Sequence, residues 1–387
     1  MATIRSSNNP DMLVWAREAV GYSVEQAAEA IGVSVESLTA AETGEKSLTL
    51  KQLRKAAEKY NCPFGYFYFS EPPHKNKDKP VPDFRIEPSV AGVENFRLQL
   101  EIKRVRDRRL VYIDLLAEQE EKTKPFELLA SKSTKKNIGS SIRTRLGVSQ
   151  SDLARTGFDK VYAYWKNKIE SDGVLVYESQ YIPEDTGVIG LAISYEKYPI
   201  ILIKRGAMSN ARKLFTLLHE YAHLLKGKSA INDIKSQTTS HRGESHSKLE
   251  ADCNRLAAEI LVPSELFLSE DYDDMTPPAM MEKVAEKFKV TFTTAAVCLR
   301  QRELITQYQY QSLINERQEI HRKKKDKNIN KEARIPRENI QRLDMGRPFF
   351  NAVLSAYDAG RIDVYDASNI LNLRVKKIDV LIERSNQ

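Results

Sequence analysis

From Ser209 to Gly227 the chain reads SNARKLFTLLHEYAHLLKG. Ser209 and Asn210 supply the side-chain oxygens that open a helix, and Gly227 closes it. Inside it, His219-Glu220-Tyr221-Ala222-His223 forms an HExxH pattern. Residues four apart share a helix face, so both imidazoles can reach one cation about 2.0–2.1 Å away. Glu220, next to the first imidazole, can hold and deprotonate a water. His219 and His223 are therefore the expected metal ligands and Glu220 the expected general base. Leu217, Leu218, Leu224 and Leu225 give the helix its apolar faces, and Tyr221, off the metal face, is expected to pack.

A catalytic zinc needs a third protein ligand and one open position. The metzincin extension would place Gly at 226 and His at 229, but Lys226 and Ser229 stand there. The next helix, KLEADCNRLAAEIL, runs from Lys248 to Leu261 and is stopped by Pro263. On it Glu250 shares a face with Cys253, Asn254 and Ala257. A carboxylate turned toward a neighbouring helix costs several kcal/mol unless a cation or hydrogen bonds meet it. Glu250 is the expected third ligand, ahead of Glu244, Asp252 and Glu259. His241 and His246 sit in the polar stretch 228–246, as candidates for an oxyanion or substrate contact. Cys253 is expected to be a small buried residue.

Three short strands, VLVYES, GVIGLAIS and PIILIKR, precede the motif helix. Together with helical patterning from residue 138 they predict a mixed domain over 138–270. Residues 271–315 predict a helical extension in which AMMEKVAEKFKVTFTTAAVCLRQREL, from Ala279, is again helix-turn-helix-like. A basic linker over 316–345, with Arg322, Lys323, Lys324 and Lys325, leads to a C-terminal helical unit over 346–387 that carries no chemical motif.

Upstream, residues 8–70 alternate helix and breaker: Ser23 opens VEQAAEAI, Gly32 breaks, Ser34 opens VESLTAAE, Gly44 breaks, and Thr49 opens LKQLRKAAEKY. This pattern predicts a helix-turn-helix bundle. Pro72, Pro73, Pro80, Pro82 and Pro88 predict a linker over 71–93, followed by an amphipathic helical connector over 94–137. The recognition helix offers Ser34, Glu36, Ser37 and Thr39 to DNA or to a protein, with no Arg or Lys to read guanine. Residues 1–70 hold seven basic and eight acidic residues, a weak basis for DNA affinity, so pairing with another such module, including a homodimer, competes. Residues 300–347 hold thirteen basic against seven acidic residues; Arg322 to Lys325 are expected to form a solvated helix face or linker, or a nucleic-acid or acidic-protein contact.

The whole chain of 387 residues carries a net charge of +7, with 41% hydrophobic and 29% charged residues, which excludes collagen-like, low-complexity and wholly disordered classes. Its length implies several modules. Cys62, Cys253 and Cys298, odd in number and widely spaced, exclude a disulfide framework and fit a reducing, cytoplasmic setting. No stretch approaches a membrane helix, and no membrane partner is expected.

Two resemblances follow. The N-terminal pattern, with Ile31-Gly32-Val33-Ser34 before the recognition helix and Glu42-Thr43-Gly44 after it, resembles the XRE, lambda-repressor-like family. The run Asn210, Arg212, Phe215 to Leu217, His219, Glu220, His223, with Glu250 to Pro263 and Pro82-Asp83-Phe84-Arg85, resembles the ImmA/IrrE family of metallopeptidases. Cys253 and Val262 stand where that family usually has Ala and Met. The resemblance implies one Zn2+ per chain held by His219, His223 and Glu250, with Glu220 as base. It also implies a protein substrate, an XRE-type repressor or an antitoxin. The expected fold class is α+β, mostly α: a helix-turn-helix head, a zincin-like core with a small sheet, and a helical C-terminal region. The alternative is a non-proteolytic regulator, binding DNA or a toxin, whose metal site is structural or vestigial.

Overall fold

The structure, a computed structural model, describes residues 8–20, 22–60, 62, 64–70, 93–117, 125–129, 137–182, 187–206, 209–227, 230–233, 244–325 and 337–385. It divides into two compact units, residues 1–110 with 180–188, and 111–179 with 189–387. Most of the proline-rich stretch, 71–92, lies outside the described residues.

In the first unit, α1 (Pro10–Ala19), α2 (Val24–Ile31), α3 (Val35–Glu42) and α4 (Leu50–Lys59) are followed by a 3-10 turn at Phe64–Tyr68. Caps set the boundaries. Ser23 and Gln26 form a reciprocal capping box on α2, Thr49 and Gln52 another on α4, and the Ser34 hydroxyl accepts from the Ser37 N–H at 3.2 Å. Between α2 and α3 Gly32 takes φ +78°, a left-handed turn that glycine adopts without a Cβ penalty. The Val33 N–H then bonds back to the Ala28 carbonyl at 2.9 Å. Leu13, Ala27, Ile31, Leu38, Leu53 and Tyr60 form the core, and Arg17 Nε donates to Glu42 at 2.7 Å between α1 and α3. This is the helix-turn-helix bundle that the sequence predicts. The connector begins as one long helix, α5 (Val93–Ala117).

The second unit opens with α6 (Ile138–Arg145), α7 (Gln150–Arg155) and α8 (Val161–Ser171), then strands β1 (Leu175–Ser179), β2 (Val188–Ile193) and β3 (Ile200–Lys204). β1 runs parallel to β3, with Leu175 opposite Ile200, and β2 runs antiparallel to it, with Gly190 opposite Ile203. A fourth strand, β4 (Ala230–Asp233), extends the sheet to the order β1-β3-β2-β4. By sequence alone these residues belong to a polar stretch.

Helix α9 (Asn210–Leu225) carries the HExxH motif, and α10 (Glu244–Leu261) packs along it. α10 starts at Glu244, so the backbone of His246 is helical rather than part of the preceding polar stretch. Trp165, Val176, Ile201, Leu217, Cys253 and Ile260 lie in the continuous core joining these layers.

Beyond α11 (Ser264–Leu268), α12 (Pro277–Phe288) and α13 (Phe292–Gln301) are joined by a left-handed Lys289 at φ +52°. Val290 N–H bonds to Ala285 O at 3.1 Å, the same turn that joins α2 to α3. The segment expected to be a basic linker is instead helical over α14 (Gln307–Lys325) and α15 (Arg337–Met345), with 326–336 outside the described residues. Lys, Arg, Glu and Gln are good helix formers, so charge density alone does not make a linker.

The C-terminal region continues through α16 (Arg347–Asp358), α17 (Val364–Leu371) and α18 (Val375–Ser385). It is tied to the sheet by buried polar contacts. Lys166 Nζ reaches Glu178 at 3.0 Å and the Leu343 carbonyl at 3.1 Å, and Glu170 accepts the Arg347 N–H at 3.2 Å. Lys213 adds a second cation 3.6 Å from Glu178. No helix among the described residues is long and apolar enough to cross a membrane.

Candidate metal centre

The last two turns of α9 are sealed in the core: His219, Glu220 and His223 are 1% exposed or less. The four-residue spacing brings the two Nε2 atoms to 3.0 Å. From α10, Glu250 places Oε2 3.2 Å from His219 Nε2 and Oε1 3.3 Å from His223 Nε2. Among the described residues these three form the group able to hold a metal ion. Four donors held tetrahedrally about 2.0–2.1 Å from zinc lie about 3.3–3.4 Å from one another, so the spacing fits such an ion. The chemistry fits as well. Two ring nitrogens and a carboxylate at these distances repel unless a proton or a cation lies among them.

His219 Nδ1 lies 2.9 Å from Asn254 Oδ1. An oxygen there takes the Nδ1 proton, which leaves the Nε2 lone pair facing Glu250 and His223. Burial alone would raise the Glu250 carboxyl, but its contacts with the His219 and His223 rings outweigh it and hold the group well below the usual carboxylate range. Glu250 therefore presents a carboxylate at neutral pH.

Glu220 occupies a slot that β2 makes by carrying a glycine. A Cβ on Gly190 would come within 3.0 Å of Glu220 Oε1 and 2.6 Å of Thr216 Cγ2. Behind the motif, the Tyr221 hydroxyl donates to Asp172 at 2.7 Å, and Asp172 takes two bonds from Arg145 at 2.9 and 2.8 Å. Burial, then Asp172, raises the Tyr221 hydroxyl far above its ordinary range, so Tyr221 braces α9 as a neutral phenol. Burial pushes the Cys253 thiol up to about 12, and it packs in the core.

Two of the weaker ligand candidates, Glu259 and Asp252, are engaged elsewhere. Glu259 accepts from the Ser264 N–H and hydroxyl at 3.1 and 2.5 Å. Asp252 pairs with Arg255 and, at 3.8 Å, with Lys226. The side chains of Glu244 and His246, and the whole of His241, lie outside the described residues. A cleft of about 750 Å³ opens along Phe215, Asn254, Arg255 and Ala258 on one side and Thr293 and Val297 of α13 on the other. Phe215 and Asn254 both neighbour His219, so the cleft lies next to the metal group.

Sequence reasoning missed the positioning contact of Asn254 and the space made by Gly190. The first had a signal, since Asn254 shares the Glu250 face. The second had only an isolated glycine in a strand, which can mark a close approach. In the N-terminal module, Ser34 caps α3, Ser37 donates to that cap, Thr39 bonds back to the Val35 carbonyl at 2.9 Å, and Glu36 is exposed. Arg322 to Lys325 lie on the α14 backbone, with side chains outside the described residues.

A helix-turn-helix bundle, and a mostly helical domain whose small mixed sheet backs an HExxH helix with a carboxylate from the next helix, define a metallopeptidase-like domain with a helix-turn-helix head. Comparison with family descriptions agrees. Residues 170–300 match the IrrE N-terminal-like domain of the M78 peptidases, and residues 13–67 match the helix-turn-helix family. The chain thus carries an IrrE N-terminal-like domain behind an N-terminal helix-turn-helix domain of XRE type. No curated protein matches it.

Proposed function

We propose that this protein is a zinc-dependent endopeptidase that cleaves one specific partner protein, an XRE-type repressor or an antitoxin. The observation that carries the reading is the spacing of the His219, His223 and Glu250 donor atoms, 3.0–3.3 Å apart, beside a buried Glu220. A divalent ion there, zinc by its nitrogen and oxygen donors, would supply Lewis acidity to the scissile carbonyl and to the attacking water.

The chain's own residues do the rest. Glu220 takes a proton from the attacking water and passes it to the leaving amine. Asn254 keeps His219 in the ligating tautomer, and Gly190 keeps the Glu220 slot open. The cleft between α10 and α13 holds an extended segment of the substrate, with Phe215 and Val297 supplying apolar contact and Asn254 and Arg255 polar contact. His241 and His246 remain proposed oxyanion or substrate contacts. The N-terminal module, with its cation-free recognition helix, recruits the partner by protein contact through Ser34, Glu36, Ser37 and Thr39. A reducing, cytoplasmic setting suits the three free thiols, all of them buried.

The test is incubation of the metal-loaded chain with proteins encoded beside it, with Glu220→Gln as control. Cleavage by the native chain alone is expected. Equal biological activity of Glu220→Gln with its metal retained would favour the non-proteolytic regulator instead.

A further inference from the structure

The C-terminal unit repeats the N-terminal helix-turn-helix position for position. Asp363 caps α17 by accepting the Asp366 N–H at 2.7 Å, as Ser23 caps α2 through Gln26. Both helices are eight residues long. Asn372 then takes the left-handed turn at φ +51°, as Gly32 does at +78°. The Leu373 N–H bonds to Ser368 O at 3.0 Å, as Val33 bonds to Ala28 at 2.9 Å, and the second helix starts three residues after the turn in both. The core positions correspond too: Ala27, Ile31 and Leu38 match Ala367, Leu371 and Ile378, all six 2% exposed or less. α16 packs against both α17 and α18, completing three helices.

The outward faces differ in charge. Where the N-terminal recognition helix and its cap present Ser34, Glu36 and Ser37, the first turn of α18 carries Lys376 and Lys377 with Arg374 just before it, these three all exposed. The acidic group nearest along the helix, Asp379, accepts the Tyr357 hydroxyl at 2.7 Å. Three cations around the first turn of a helix oppose its dipole, so they are not explained by helix stability. The same turn in α12–α13 serves another end. There Ala296 and Leu299 are buried in the peptidase core and the remaining face lines the cleft.

We propose that residues 347–385 form a second helix-turn-helix, and that it binds double-stranded DNA with α18 in the major groove and Arg374, Lys376 and Lys377 on phosphates and guanine edges. A helix of this kind enters the groove by its N-terminal residues, and Arg or Lys paired to guanine O6 and N7 is the commonest specific contact. Double-stranded DNA is the occupant that matches both the motif and the sign of the charge. The division of labour is then between a head whose recognition helix carries no cation, for protein, and a C-terminal module whose recognition helix opens on three cations, for DNA. This holds whether or not the metal centre hydrolyses peptides.

The experiment selects duplexes from a random 30-base-pair pool with the full-length chain, then measures affinity against salt by fluorescence anisotropy. It compares the native chain, Glu220→Gln, and the triple variant Arg374→Gln, Lys376→Gln, Lys377→Gln. The expected results are native-like binding by Glu220→Gln and at least about tenfold weaker binding by the triple variant. The salt slope of the triple variant should fall by up to about 2.7, near 0.9 for each phosphate no longer neutralised. Guanine N7 protection from dimethyl sulfate should be present with the native chain and absent with the triple variant. Circular dichroism should be unchanged and thermal unfolding no earlier than in the native chain, since all three side chains are exposed and their loss relieves the helix dipole. Lys376→Gln with Lys377→Gln alone gives a second reading should the triple variant misfold. No duplex binding, unchanged affinity and slope in the variant, or equal loss on single-stranded RNA would each overturn the proposal.

Discussion

Asn254 Oδ1 meets His219 at Nδ1, the ring nitrogen turned away from Glu250 and His223, so its effect separates metal affinity from fold. Asn254→Ala should weaken zinc binding about 10- to 100-fold, the usual cost of losing a partner behind a metal-ligating histidine, as measured by competition with a chromogenic chelator. Unchanged affinity would remove Asn254 from the site. Glu220→Gln should keep the ion at one per chain while peptide cleavage falls about 10²- to 10⁴-fold, the range for a positioned general base. His219, Glu220 and His223 are legible in the sequence because their geometry depends on one helix and its 3.6-residue period. Glu250 is legible because a carboxylate on a core-facing stripe needs a partner. The Asn254 bond depends on the rotation of α10 against α9, which no single-helix pattern records.

Where two elements meet, the account turns on close approach and on buried charge. Gly190→Ala would drive a methyl against Glu220 and Thr216, and should destabilise the second unit by about 1–3 kcal/mol in chemical denaturation. Glu170, beneath the start of α16, is raised by burial to about 7, against the opposing pull of Lys166 and the Arg347 N–H. A carboxyl raised above its unfolded value of 4.5 favours folding fully below that pH and loses this contribution as pH climbs to about 7. The native chain should therefore lose on the order of 3 kcal/mol between pH 4.5 and 7 relative to Glu170→Gln, whose amide does not titrate. Parallel stability curves for the two proteins would contradict the assignment. β1, β2 and β3 are legible as apolar runs bounded by turn residues. β4 is not, because a four-residue edge strand has too few side chains to show alternation.

Taken as one chain, the protein joins a candidate metal centre to an N-terminal helix-turn-helix module, and each has its own variants. Glu36→Arg with Thr39→Arg, on the exposed part of α3, should raise KM for the protein partner and leave kcat and zinc content unchanged. A fall in kcat alone would place those residues outside recruitment. The N-terminal module is legible from Ser23, Gly32 and Ser34, since serine caps around a turn glycine form a strong signal. Its C-terminal counterpart uses Asp363, Asn372 and Arg374 at the same places, and without the glycine the turn is visible only in backbone angles. The basic run before it resembles a linker only when charge is weighed above helix propensity.

The peptidase reading rests on His219, His223 and Glu250 sharing one divalent ion. X-ray absorption at the zinc edge of the loaded native chain measures that shell directly. The expected result is two imidazole nitrogens with oxygen donors at about 2.0–2.1 Å and no sulfur, with one nitrogen fewer in His223→Ala. A shell containing sulfur, or one left unaltered by His223→Ala, would contradict the account.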